Sequence, residues 1–391
     1  MGALTMLRVL ILLMLVAGLI ADPFTSAEAS TAGPPRLASS WGVNGPVYAV
    51  AVLGGTVFVG GDFTAATSAT GATLPRHNLA AFSLRTGQPL RTWVANTSDA
   101  VHALATADGS VWVGGKFASV NGIRRSHLAE VSAVDGQVGA FRLDVNQTVR
   151  ALAVADGRLY AGGDFTLAAG AKAPHLLAAQ ADTGRRLRSF RGAANGTVWS
   201  LAVGPQRQVL YVGGLFSRLS HRPRASIGAM DADTGAIRRP VFRQSSGPIL
   251  GLDVSRNGTH VIAAVGGSPE RPAGNSIASW NARTGARTWR VRLRGDGQAV
   301  DVLGRTVYAG FHHGYRNDTR ARLLAIDVAT GRVHPRFRPS FNEYFGVRSI
   351  AATRQGIAVG GEFTTVNGTV HDGLAVFRTP QASRSRGRRN H

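Results

Sequence analysis

The feature that most constrains this chain is a pattern that returns seven times. A short β-like run closing on Gly-Gly or a related pair occurs at Val57 to Gly61, Val111 to Gly115, Leu159 to Gly163, Leu210 to Gly214, Val261 to Gly267, Val307 to Gly310 and Ile357 to Gly361. The copies stand roughly fifty residues apart, the scale of one supersecondary unit. In five of them a Phe follows one residue later (Phe63, Phe117, Phe165, Phe216, Phe363), whereas the fifth copy reads Gly-Gly-Ser-Pro and the sixth Gly-Phe-His-His. A Thr-Gly or Asp-Gly pair recurs six times, ending at Gly87, Gly136, Gly184, Gly235, Gly285 and Gly331. An aromatic residue follows each pair, at Trp93, Phe141, Phe190, Phe242, Trp289 and Phe337.

Each period divides into four short strands. In the third period they are Val149 to Ala155, then Arg158 to Gly163 after an Asp156-Gly157 turn, then His175 to Ala181, and a fourth after Thr183-Gly184. This pattern predicts an all-β chain folded as a seven-bladed β-propeller with four-stranded antiparallel blades, since a parallel β-helix requires far shorter repeats. Seven second strands but six Thr-Gly or Asp-Gly turns leave the last unit without its own fourth strand. The segment Arg36 to Trp41, which carries the missing aromatic, is expected to complete that blade and close the ring. The first strands, built mainly of Ala, Val and Leu, are expected to line the channel. The recurrent aromatics fill the space between blades, and the small residues after each second strand permit close backbone approach.

Composition narrows the class further. No Cys occurs among the 391 residues, so neither disulfides nor Cys-ligated zinc hold the fold. Charged residues make up 17% of the chain and Lys116 and Lys172 are its only lysines, a poor basis for coiled coils. Near the N-terminus Arg8 precedes an apolar run from Val9 to Ile20, too short to span a bilayer comfortably, and Ala27-Glu28-Ala29 fits a signal-peptidase site. Residues 1–29 therefore read as a secretory signal peptide, 30–379 as the propeller, and 380–391 as a basic disordered tail. The expected protein is secreted and monomeric.

The stretches GGKFASVNGIRRSHLAEVSAVDG from Gly114 to Gly136 and GGEFTTVNGTVHDGLAVF from Gly360 to Phe377 resemble the delta-60-type β-propeller repeats of secreted proteins from high-GC bacteria. The resemblance covers Trp41 to Phe377 and implies a propeller in an extracellular setting; it lends no catalytic residues. A weaker similarity, in Asp-x-x-Thr-Gly at Asp231 and Asp327, is to quinoprotein dehydrogenase repeats. Many of those enzymes have eight blades and a vicinal disulfide, so seven units without Cys argue against a quinone, and no cofactor is expected.

Chemistry-bearing motifs are missing: there is no Gly-x-Ser-x-Gly elbow, His-Glu-x-x-His, Walker-type loop or EF-hand loop. No catalytic or metal-ligating set is predicted from motifs, but two groups of residues remain. Asp62, Asp164 and Glu362 precede the landmark Phe, and His77, His127 and His175 end the loop between second and third strands. Together they would form a partial ring on the funnel face with metal or acid–base capacity; the simpler reading is carboxylates bonded to local turn amides and solvated His. Six Asn-x-Ser/Thr sequons, at Asn96, Asn146, Asn195, Asn257, Asn317 and Asn367, fall in predicted loops.

The second group is basic. Arg185, Arg186, Arg188 and Arg191, then Arg238, Arg239 and Arg243, then Arg283, Arg287, Arg290, Arg292 and Arg294, then Arg332, Arg336 and Arg338 fall in the turns before the fourth strands and in those strands. They map to the outer rim of blades three to six, with Arg188, Arg239, Arg290, Arg292, Arg294 and Arg336 as the candidate contacts. Charge on an edge strand discourages edge-to-edge aggregation. A net charge of +22 is far more than that requires, and it suits attraction of anionic cell-surface or extracellular polymers. The leading expectation is a secreted binding module acting through this rim. The alternatives are an extracellular enzyme acting on glycans or small polar substrates in the funnel, and a purely structural surface protein.

Overall fold

The computed structural model describes residues 35–38, 41–243, 245, 247–267 and 274–379. The expected signal peptide and basic tail lie outside these residues. Among them there is no α-helix, and the sheets are antiparallel with two to four strands. Seven units each contain three paired strands. The first strands are Val47–Leu53, Val101–Ala107, Val149–Ala155, Val198–Val203, Ile249–Val254, Gly297–Leu303 and Val347–Thr353. The second end on the Gly-Gly landmark, as in Thr56–Gly61 and Arg158–Gly163, and the third include Leu79–Ser83 and Leu176–Gln180. Two strands of the third unit thus have the expected bounds, and the third strand is one residue shorter at each end.

Each first strand touches the first strand of the next unit, and the seventh touches the first. The hydrophobic core follows the same order. It consists of seven layers, each drawn from two neighbouring units, among them one that joins Ala358, Leu374 and Val376 of unit seven to Val57, Phe63 and Phe82 of unit one. Trp41 packs into that same layer, and its backbone N–H donates to Gly87 O. The N-terminal strand Arg36–Ala38 pairs with Leu374–Arg378, placing Leu37 opposite Phe377. The N-terminal segment therefore joins the last sheet, as its aromatic residue implied.

Close approach explains both glycines of the landmark. A Cβ on the first glycine would overlap the leading valine of the next unit's first strand: Gly60 against Val101, Gly114 against Val149, Gly162 against Val198, Gly360 against Val47. A Cβ on the second would overlap a carbonyl of its own unit, such as Gly61 against Pro46 O or Gly163 against Thr148 O. Unit five departs from this rule, and the register shows how. Gly251 pairs with Ala264, so the landmark positions there hold Ala264 and Val265, and Gly266-Gly267 lies one step beyond the strand. The leading residue of the next first strand is correspondingly Gly297 in place of valine. An added methyl in one unit is met by a deleted side chain in its neighbour.

The expected four-stranded blade needs correction. Among the described residues a regular outer strand exists in three sheets only: Ile237–Arg238 in unit four, Arg287–Arg292 in unit five, and Arg36–Ala38 in unit seven. In units one, two, three and six the outer segment makes a single bridge, Phe82 with Pro89, Val131 with Val138, Ala179 with Arg186 and Ile326 with Val333. In units one and six Pro89 and Pro335 remove donors, whereas the six residues Arg287–Arg292 contain no proline; nothing comparable marks units two and three.

Two features lay beyond the strand pattern. Between second and third strands runs a short ribbon, such as Leu167–Ala168 with Ala171–Lys172, pinned in four units by an Asn a few residues before the first strand. Asn146 Oδ1 accepts from the Thr166 and Leu167 N–H groups, and Asn195, Asn44 and Asn342 repeat the arrangement. Two of the sequon asparagines are thus structural pins. The buried aromatics also have polar ends that tie units together: Trp93 Nε1 donates to Ser132 O, Trp112 Nε1 to Ala181 O and Tyr160 OH to Ala232 O.

Two outcomes follow for stability. Phe165 is fully buried between units two and three, so Phe165→Ala should cost on the order of 3–5 kcal/mol in denaturant unfolding. Starting the chain at Gly45 removes both Arg36–Ala38 and Trp41, and thermal melting should then begin at lower temperature than in the parent; an unchanged melt would contradict a clasp at this edge.

Candidate functional site

All seven first strands carry the same irregularity. The ladder to the second strand shifts by one residue at the second position, between Val47 and Ala49 in unit one and at the equivalent point in every other unit. A bulge leaves its extra residue outside the ladder and re-aims the side chain. The seven bulged residues are Tyr48, His102, Arg150, Trp199, Leu250, Gln298 and Arg348. They all line one cavity of about 590 Å³, together with the two residues that follow each. The expectation of a channel walled by Ala, Val and Leu therefore holds for the positions below the bulge and fails at the bulge, because period-two alternation cannot register an inserted residue.

The acidic positions border this mouth. The residue after each second strand (Asp62, Lys116, Asp164, Leu215, Gly266, His312 and Glu362) donates its N–H to the carbonyl just ahead of the first strand, at 2.9–3.3 Å. Asp164 Oδ2 accepts from Arg150 Nε at 2.8 Å while its Oδ1 accepts from Thr197 Oγ1. Arg348 meets Glu362 at 2.7 Å and lies over the rings of Phe345 and Tyr48. Tyr48 stacks on His102 with ring centroids 5.0 Å apart. Burial, with Arg150 beside it, pushes His102 down to about 4, so the imidazole is uncharged at neutral pH. The Gln298 amide nitrogen donates to the Phe345 and Val347 carbonyls.

The histidines do not join these carboxylates. His127 and His175 adopt positive φ, and each ring Nδ1 turns to the carbonyl that ends its own second strand, Gly115 O and Gly163 O. His77 stands one residue out of step: Asn78 holds the matching position and accepts from Phe63 N–H. None of the three lines the cavity, and among the described residues no group of three or more His, Asp and Glu is arranged to hold a metal ion. The partial ring of Asp62, Asp164, Glu362, His77, His127 and His175 therefore separates into acidic residues at the mouth and histidines spent on loop backbone.

The arginines lie elsewhere. Arg188, Arg239, Arg292 and Arg336 are exposed and have no ion-pair partner among the described residues, whereas Arg238 is held by Asp231. Arg290 is half-buried on the outer strand of unit five, beside the buried Val291 that packs toward unit six. Arg294 donates to Arg316 O. Two clefts gather the charge. One of about 710 Å³ is lined by Arg142, Lys172, Arg185, Arg186, Arg188 and Arg191, and one of about 450 Å³ by Arg224, Arg239, Arg243 and Arg283; neither has an acidic residue in its wall.

No protein-family model and no curated protein matches the chain. Among solved structures it is similar to a computationally designed protein, described as "Crystal structure of the computationally designed Ika8 protein: crystal packing No.1 in P63", at 16% identity and a TM-score of 0.54. The match covers 88% of this chain and all of that one, and it bears on the fold alone.

Further down the first strands, two carboxyls replace the alanine of other units. Asp253 Oδ2 accepts from Val302 N–H of unit six at 2.7 Å, and Asp301 Oδ2 from Ala352 N–H of unit seven at 2.6 Å. Burial raises both carboxyls above the usual Asp range, and their proximity adds to the rise of Asp253. The native state thus holds a proton more tightly than the unfolded chain. Its contribution to stability is complete below about pH 4 and is lost as pH rises through the raised values. Asp301→Asn keeps an acceptor for Ala352 and removes one charge. Its stability at pH 8 should exceed the parent's by on the order of 1 kcal/mol, with the gap closing toward pH 4 in chemical denaturation.

Proposed function

We propose that this chain is a secreted, monomeric seven-bladed β-propeller that binds anionic polymers through an arginine-rich rim. The propeller reading is supported by the cyclic contacts of the seven first strands, by the seven inter-unit core layers and by the N-terminal strand in the last sheet. It agrees with the resemblance of the repeats to the delta-60 type. Export is supported by the N-terminal apolar run followed by Ala27-Glu28-Ala29. Among the described residues no helix is long and apolar enough to cross a membrane.

The observation that carries the binding reading is the pair of outer clefts lined by six and by four cationic side chains with no carboxylate among them. Exposed guanidinium groups in an acid-free groove present several donors to sulfate, phosphate or carboxylate groups spaced along a chain. Such a surface binds by releasing counterions, so affinity falls steeply with salt and depends little on polymer sequence. Cell-wall glycopolymers, acidic polysaccharides and extracellular DNA share this chemistry.

The test is binding of heparin and of duplex DNA as a function of salt. Replacing Arg188, Arg239 and Arg283 of the two clefts together by Gln should weaken binding and flatten the salt slope, while His127→Ala and Asp164→Ala should leave both unchanged. Equal affinity in the triple variant, or loss of binding only in the His127 and Asp164 variants, would move the site from the rim to the channel.

A further inference from the structure

We propose that the channel mouth is a second site, independent of the rim, that takes a neutral saccharide. Variation within the repeat is concentrated at one place. Ahead of the bulge stand Val47, Val101, Val149, Val198, Ile249, Gly297 and Val347, and two residues beyond it Val50, Leu104, Leu152, Leu201, Leu252, Val300 and Ile350. Between them the bulge holds six kinds of side chain in seven copies, all facing the same cavity. Closing a ring requires repetition of a filler residue; it does not require a phenol, an imidazole, an indole, an amide and two guanidinium groups.

The arrangement of these groups selects the ligand. Units four and five contribute Trp199, Leu201, Leu250 and Leu252, an apolar wall. Going round the seven units, the first lies furthest from them, and it and its neighbours hold Tyr48, His102 and Arg348 with the carboxylates Asp62 and Glu362, while the Arg150–Asp164 pair of unit three stands next to Trp199. A pyranose matches such a mouth. Its C–H face lies against an aromatic ring, and its hydroxyls each donate and accept, which a planar arginine–carboxylate pair answers from both sides. An anion is disfavoured, because Arg150 and Arg348 are already paired and Lys116 is held by Asp99. Three cations thus stand beside four carboxylates, a near-balanced patch on a chain of charge +22. A wholly apolar ligand would strand the two ion pairs without solvent. The cavity volume is within the range that encloses small ligands.

The experiment titrates the folded chain with cellobiose, maltose and N,N′-diacetylchitobiose, read by calorimetry and by tryptophan fluorescence. At least one of the three should bind, with an affinity that added salt does not lower. Trp199→Ala and Arg150→Gln should each weaken it about tenfold or more, roughly one polar or stacking contact. Trp199→Phe should keep binding while losing the fluorescence response, which separates contact from folding. The triple replacement of Arg188, Arg239 and Arg283 should leave this affinity unchanged, so that failure of the rim reading and failure of this one are distinct. Binding of none of the three sugars, or binding indifferent to both Trp199→Ala and Arg150→Gln, overturns the proposal.

Discussion

The structure depends on one contact repeated from unit to unit: the leading residue of a first strand, valine in five units and isoleucine in the fifth, seated on a glycine of the unit before it, with Gly297 of the sixth unit as the exception. Gly60 receives Val101, Gly114 receives Val149, and Gly360 receives Val47, which returns the chain to its start. Because the core is divided into layers between units, no unit buries its apolar face alone, and each layer exists only if its two neighbours are in register. The aromatic N–H and O–H groups that reach carbonyls of the neighbouring unit fix that register where dispersion forces alone would let sheets slide.

This division explains what could be read from residues alone. Strand existence and order were legible because Gly-Gly-x-Phe reports a close approach and a buried ring, both of which demand particular residues at every copy. The N-terminal clasp was legible from Trp41, since an unmatched aromatic implies a slot. The outer strands were overread: Pro89 and Pro335 remove donors in two units, and in all four units without a regular outer strand a turn followed by an aromatic is satisfied by one bridge. The bulge was invisible, since an extra residue in a strand leaves the surrounding Val-x-Ala-x pattern intact while turning one side chain into the channel. Asn146 and Asn195 likewise read as sequons and proved to be pins, because their partners are backbone amides some twenty positions on.

The two proposed surfaces differ in how charge is handled. At the mouth, guanidinium and carboxylate groups stand in pairs, so geometry and not field strength decides what is held. On the outer clefts the cations stand without carboxylates, and their potential extends a Debye length into solvent. Polymer capture at long range and sugar recognition at short range therefore require no shared residue.

The exchange at the fifth unit, Ala264 for glycine and Gly297 for valine, makes one junction of the ring unlike the others. Units joined by the common glycine–valine contact are interchangeable in principle, so duplication or shuffling among them preserves the seam. The facing sides of the fifth and sixth units match each other and not the common contact. A ring of near-identical parts thereby acquires an origin, and the varied side chains at its mouth acquire fixed addresses relative to it.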